Sequence, residues 1–279
     1  ALPGAASVKF SYNRMRQYIQ MLSNTTAISP TDIWKLSDQY VKPQIGDQIS
    51  AGYYRNFRSN TIEVSAEAYY KLTKNFIDYK GGATLLLNTH IETDLVSTKG
   101  HSYGIEFMLR KLTGKLNGWV TYTYSRSLLQ TTSSYTADRI NNGRVYPSNF
   151  DKPHSLNLIG NYKFNRRFSI SVNYTYSTGR PITLPLSRYD LNGAPRLFYS
   201  DRNEYRIPDY WRADVSLNIE GNHKIRKLAH SSWTLALYNI TGRRNAYSVY
   251  FVSQDGKING YKLSIFGNPI PTLTYNFRF

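Results

Sequence analysis

The sequence contains no cysteine in 279 residues. That removes disulfide frameworks, zinc–thiolate centres and thiol nucleophiles at once. Long apolar runs are lacking as well. Runs such as that around Leu85–Leu87 do not exceed about five residues, whereas a membrane-spanning helix needs roughly 20. Transmembrane helices are therefore excluded. The opening stretch "ALPGAASVKFSYN" has neither a charged leader nor an apolar core and is not a signal peptide. It reads as a strand entered in mid-course, as expected of a processed, truncated or partial chain. Catalytic signatures are lacking too: there is no H-E-x-x-H, G-x-S-x-G, P-loop or G-x-G-x-x-G, and the five histidines are scattered. The chain is not read as an enzyme, and no metal or cofactor is expected.

Acidic residues are few: 18 Asp and Glu against 35 Lys and Arg, for a net charge of +17. Such a balance suits nucleic acid, anionic lipid or an anionic substrate. The placement of the charge has to decide between them.

What the sequence has in excess is tyrosine, 25 residues beside 12 Phe and 4 Trp. These side chains favour strands. Period-2 alternation runs through most of the chain, which argues for strands over helices. In "YWRADVSLNIEG" (210–221), Trp211, Ala213, Val215, Leu217 and Ile219 alternate with Arg212, Asp214, Ser216, Asn218 and Glu220. "RFSISVNYTYSTG" (167–179), "SSWTLALYNITG" (231–242) and "PTLTYNFRF" (271–279) repeat the pattern. Six earlier segments continue it less strictly: "ASVKFSYNRMRQYIQML", "QISAGYYRNF", "TIEVSAEAYYKLTKNFIDY", "SYGIEFMLRKL", "GWVTYTYSRSLL" and "HSLNLIGNYKF". Ten strands are predicted.

The connections alternate in length. Those at 58–60, 112–116 and 165–167 are short, 220–230 is intermediate, and those at 23–46, 80–100, 131–153, 180–209 and 243–270 are long. Tight turns at one end of an up-and-down antiparallel sheet and long loops at the other give this rhythm, as membrane barrels do. The fold class expected is all-β: a portion of an antiparallel up-and-down transmembrane β-barrel. Much of the positive charge then falls at the short-turn end, at Arg58, Arg110, Lys111, Lys115, Lys163, Arg166 and Arg167. It punctuates strands instead of lining a binding face, so nucleic acid is not expected as a partner.

With the strands placed, the sequence resembles the C-terminal barrel portion of a TonB-dependent outer-membrane receptor. The resemblance is carried by "SYGIEFMLRK" with "GWVTYTYSRS", "FDKPHSLNLIGNYKF" followed by "YSTGRP", "IPDYWRADVSLNI", "WTLALYNITGRRNAYSVYF" and the terminal "TYNFRF". It covers essentially residues 1–279, read as a single partial domain. It implies a barrel of about 22 strands with a plugged lumen, to which this chain contributes the last ten. It also implies active import of a large scarce nutrient: a metal chelate, a corrinoid or an oligosaccharide. The TonB complex would act through an N-terminal part not found in this sequence. Further implied partners are the outer-membrane assembly machinery, membrane lipid and lipopolysaccharide, and a surface lipoprotein. Tyr275, Phe277 and Phe279 match the family's terminal assembly signal.

Ligand contacts are expected in the long loops and upper lumen. Trp34, Tyr135, Tyr146, Tyr189, Tyr199 and Tyr205 offer aromatic faces for sugars or planar chelates, and Arg202 a fork for an anion. "DKPH" and "YSTGRPIT" read as strand boundaries, because Pro cannot donate to a ladder. Glu63, Glu67 and Glu106 are expected to pair with lumenal arginines across strands. Two other readings compete: a passive structural or adhesive outer-membrane barrel, and a soluble β-rich carbohydrate-binding protein.

Overall fold

A computed structural model describes residues 5–22, 33–83, 88–221, 230–254 and 257–278. Phe279 and the apolar run around Leu85–Leu87 lie outside the described residues. Among the described residues, ten strands in sequence order form one antiparallel wall, and an eleventh, the two-residue strand Tyr146–Pro147, pairs with its Leu128 and Leu129. The ten are β1 (Ala6–Gln17), β2 (Gln44–Phe57), β3 (Ile62–Tyr79), β4 (Leu95–Lys111) and β5 (Leu116–Thr131), followed by β6 (His154–Lys163), β7 (Phe168–Ser177), β8 (Tyr210–Glu220), β9 (His230–Tyr238) and β10 (Ile270–Arg278). Each pairs with its chain neighbours in sequence order, and β1 does not pair with β10, so the wall is an open arc. Among the described residues, no helix is long and apolar enough to cross a membrane.

Register explains why alternation sets the two faces. Tyr12, Ile49, Tyr70 and Tyr103 lie opposite one another across β1 to β4. Leu156, Tyr176 and Trp211 continue an apolar row across β6 to β8. This face is solvent-exposed in the isolated chain: Phe10 is 81% exposed and Leu273 66%. Lipid is the solvent that suits such a surface. The opposite face is polar and cross-linked by side chains. Ser11 meets Ser50 at 2.7 Å, Asn161 donates to Ser171 at 2.9 Å, and Thr234 donates to Asn218 at 2.7 Å. Arg110 reaches Glu63 at 3.4 Å, as expected. Glu67 instead takes the Tyr54 hydroxyl and lies opposite Glu106 in the register.

A tilted strand of roughly 10 residues crosses the apolar layer. β6 to β10 have about that length, but β3 has 18 residues, β4 17 and β5 16. The extra length of these strands lies on the side of the long connections. A bulge between Thr73 and Phe76 bends the top of β3, with Asn75 at φ +57° donating its amide to the Pro43 carbonyl. Asn tolerates that left-handed conformation better than most residues.

A single-layer wall has no second sheet to pack on, and the small apolar core sits under the loops. One cluster joins Val96, Leu129, Ile140 and Tyr146 with Phe76. Another joins Leu22 and Ile91 with Ile33, Ile77 and Leu95. Three of the long connections carry hairpins of their own: Ile19–Leu22 with Ile33–Leu36, Pro185–Leu191 with Ala194–Tyr199, and Ala246–Gln254 with Lys257–Ser264.

Candidate ligand-facing site

The loops are fastened to the strand tops by carboxylates that the barrel walls cannot solvate. Asp78, near the end of β3, accepts from Arg202 Nη1 at 3.1 Å and from the Tyr146 hydroxyl at 2.7 Å. Arg202 also donates to the Tyr79 carbonyl at 3.0 Å and lies 4.0 Å over the Tyr79 ring. Asn141 brackets its backbone, accepting from Arg202 N at 2.7 Å and donating to its carbonyl at 3.1 Å. The connections 132–153 and 178–209 are thereby clasped to one strand end. Burial, and then the charge of Asp78, push the Tyr146 phenol well above its ordinary value.

Asp151 is a second hub, with its carboxylate fully buried. It accepts from Arg126 at 3.2 Å and from the Ser127 amide at 2.7 Å, and it pairs with Arg206. Arg206 also donates to the Asp151 and Gly179 carbonyls at 2.7 and 2.9 Å. A third hub is Asp209, which takes the Gly179 amide at 2.9 Å and the Tyr176 hydroxyl at 2.7 Å. Those two bonds, the amide first, hold its carboxyl below the usual carboxylate range. Arg243 donates to the Asp209 carbonyl at 2.9 Å and lies 4.9 Å over Trp211. Asn239, 3% exposed, donates its side-chain amide to the Arg243 and Phe266 carbonyls and its backbone N–H to Asp214 Oδ1 at 2.8 Å.

On the polar face lies a cavity of about 520 Å³. Ser155 and Thr175 border it from β6 and β7, Arg212 from β8, and Lys152, Arg180 and Phe266 from the loops. Arg212 is held by Asp214 at 2.9 Å. Crowding by protein atoms, then the nearby charge of Arg180, pull the Lys152 amine below its ordinary value.

The residues singled out as ligand contacts do not converge. Tyr146 and Arg202 meet through Asp78, and Tyr146 is 1% exposed. Trp34 and Tyr135 are exposed on two other connections, Tyr189, Tyr199 and Tyr205 are exposed on the 178–209 connection, the first two in one hairpin, and none of the seven lines the cavity. Tyr275 and Phe277 point outward from β10, and the Tyr275 ring lies 4.6 Å from that of Trp233. Sequence reasoning missed Asp78, Asp151, Asp209 and Lys152. The available signal was position: each lies at or beside a strand boundary, next to a long connection.

The comparisons with known proteins agree with this architecture. Residues 5–240 match the family described as TonB dependent receptor-like, beta-barrel. The chain belongs to that family, and its wall is an outer-membrane β-barrel wall. No curated protein matches it. Among solved structures, it is similar to the closed form of the ferric-catecholate import receptor Fiu of E. coli K12, at 14% identity and a TM-score of 0.61. That match covers 99% of this chain and 33% of the other. It is also similar to the pyoverdine outer-membrane receptor FpvA of Pseudomonas aeruginosa PAO1 bound to pyoverdine, at 15% identity and a TM-score of 0.58, over 99% of this chain and 34% of that one. The chain thus spans about a third of the length of these structures.

Proposed function

We propose that residues 1–279 form the closing part of the barrel of an active outer-membrane importer, a transporter and not an enzyme. The long loops capture a large, scarce nutrient, and the TonB complex supplies the energy through sequence outside this chain. Metal chelates, corrinoids and oligosaccharides are the candidate cargoes. The two similar structures are a ferric-catecholate import receptor and a pyoverdine receptor bound to pyoverdine, which favours a metal chelate among them.

The observation that carries this reading is the set of long connections fastened to the strand ends beside a cavity on the polar face. Asp78, Asp151 and Asp209 tie the connections to the strand ends, and the Asp209 clasp holds Gly179, which borders the 520 Å³ space. Buried ionic clasps cost desolvation, and these hold the connections in one arrangement at the strand ends. The exposed aromatics Trp34, Tyr135, Tyr189, Tyr199 and Tyr205 are the proposed first contacts for cargo, with Tyr146 and Arg202 shaping the loops that present them.

The test is growth and labelled-nutrient uptake by cells carrying the full-length gene, with and without TonB. Uptake that stops without TonB supports the importer. Uptake indifferent to TonB, with the barrel present in the outer membrane, returns the reading to a passive barrel.

A further inference from the structure

The cavity is one-sided in charge. Lys152, Arg180 and Arg212 line it, and no Asp or Glu does. Arg212 is neutralised by Asp214. Lys152 and Arg180 have no carboxylate within 4.0 Å among the described residues, although ten ion pairs are formed elsewhere among them. Arg180 is nevertheless fixed in place, because one of its N–H groups donates to the Tyr247 carbonyl at 3.1 Å. A guanidinium has five such donors in a fixed fork, so the others remain for a ligand.

The surroundings suit a molecule with two characters. Ser155 and Thr175 border the space with hydroxyls, while Ile207, Ile265 and Phe266 border it with apolar surface. Two like charges facing one cavity repel. An anion between them removes the repulsion and gains charge-assisted hydrogen bonds.

We propose that this cavity is an anion-selective subsite, and that the cargo carries a carboxylate or comparable acidic group beside an aromatic or other apolar face. The cargo part rests on the importer reading. Anion selectivity belongs to the cavity itself and can be measured without transport. Fixed cations at the wall, all supplied by this chain, would select an acidic cargo over a neutral one of the same shape.

The test uses the full-length receptor in nanodiscs of phosphatidylcholine, which adds no net lipid charge. Benzoate and its uncharged counterpart benzamide are titrated and followed by saturation-transfer NMR. Benzoate is expected to bind at least about tenfold tighter, a difference of about 1.4 kcal/mol. The preference should shrink as sodium chloride is raised from about 0.05 to about 0.5 M, since salt screens exposed charge. The K152Q/R180Q variant, checked for heat-modifiable migration, should lose the preference. Equal binding of the two probes, no benzoate binding, or a preference unchanged in the double variant would overturn the assignment. The wild-type salt titration needs no variant, so misfolding cannot hide the answer. A receptor that keeps TonB-dependent uptake yet binds both probes alike defeats the anion subsite alone. One that prefers benzoate but shows no TonB dependence defeats the importer reading alone.

Discussion

Tyr146 donates its phenolic hydrogen to Asp78 at 2.7 Å, across 68 residues of chain. The other oxygen of the same carboxylate takes Arg202, 124 residues away. One acid at the tip of β3 thus ties two long connections, 132–153 and 178–209, to the wall. Arg202 and Asp78 are each 11% exposed, so the pair is sheltered from salt and from water.

Asp78→Ala should free both connections. Removing one partner of a buried pair leaves the other charge stranded, at a cost of about 3–5 kcal/mol. The wall strands do not depend on this contact, so the loss should be local. Hydrogen exchange is expected to quicken in residues 140–147 and 200–206 and stay slow in β6 and β7. Uniform loss of protection across the wall would show that Asp78 supports the barrel as a whole.

The Asp209 clasp gives a pH dependence of definite sign. Its carboxyl is held below the ordinary value by the Gly179 amide and then the Tyr176 hydroxyl. A depressed folded-state pKa stabilises above the unfolded value, near 4, and that stabilisation is lost as pH falls through the folded value. Asp38 behaves alike: the Lys35 amine, then the Val41 and Tyr40 amides, bring it to about 2. Limited proteolysis of the loops should therefore be flat from neutral pH to about 5 and accelerate below about 4. In Asp209→Asn the acid-induced step in the 178–209 connection should largely disappear. An unaltered step would place the titration elsewhere.

The division between what could and could not be read from the sequence follows from range. Each wall strand meets lipid on one face and a polar lumen on the other, so its solvents write a period-2 pattern into local sequence. All ten segments could be placed that way. The clasps have no such local trace, since Asp151 finds Arg206 at a separation of 55 residues and Asp78 finds Arg202 at 124. The loop hairpins are an intermediate case. Asn192 and Gly193 both have positive φ, at 52° and 74°, in a two-residue turn between Leu191 and Ala194. Asn-Gly is a strong hairpin signal, yet the reading of 180–209 as one connection passed over it.

Gly179 shows how a residue legible as a strand end can carry a tighter constraint. A Cβ there would collide with the Ile207 carbonyl, which is backbone and cannot swing away. The close approach lets the Gly179 amide reach Asp209 and its carbonyl accept from Arg206. Gly179→Ala should force 178–180 and 207–208 apart and disturb both bonds. A loss of about 2 kcal/mol or more is expected, within the range for substitutions that strain a special backbone site. Thermal unfolding of the full-length receptor in detergent measures it. An alanine variant as stable as the parent would mean that the two segments part at little cost.

The last strand carries a prediction that separates stability from assembly. Trp233 and Tyr275 lie opposite each other on β9 and β10 with ring centroids 4.6 Å apart, and Tyr275 is 6.1 Å from Phe277. An aromatic pair of this kind adds about 0.5–1.5 kcal/mol beyond area burial. If the contact is all that matters, Trp233→Ala and Tyr275→Ala should lower the melting temperature alike and reduce outer-membrane accumulation alike. If Tyr275 and Phe277 are read during insertion, as we propose, Tyr275→Ala and Phe277→Ala should reduce the heat-modifiable, membrane-inserted fraction several-fold. Trp233→Ala, with a similar thermal loss, should insert nearly as well as the parent. Pulse-labelled cells sampled over minutes give the inserted fraction, and purified protein gives the melting temperature. Equal insertion defects in all three variants would assign these aromatics to packing of the wall and leave no assembly signal in residues 275–277.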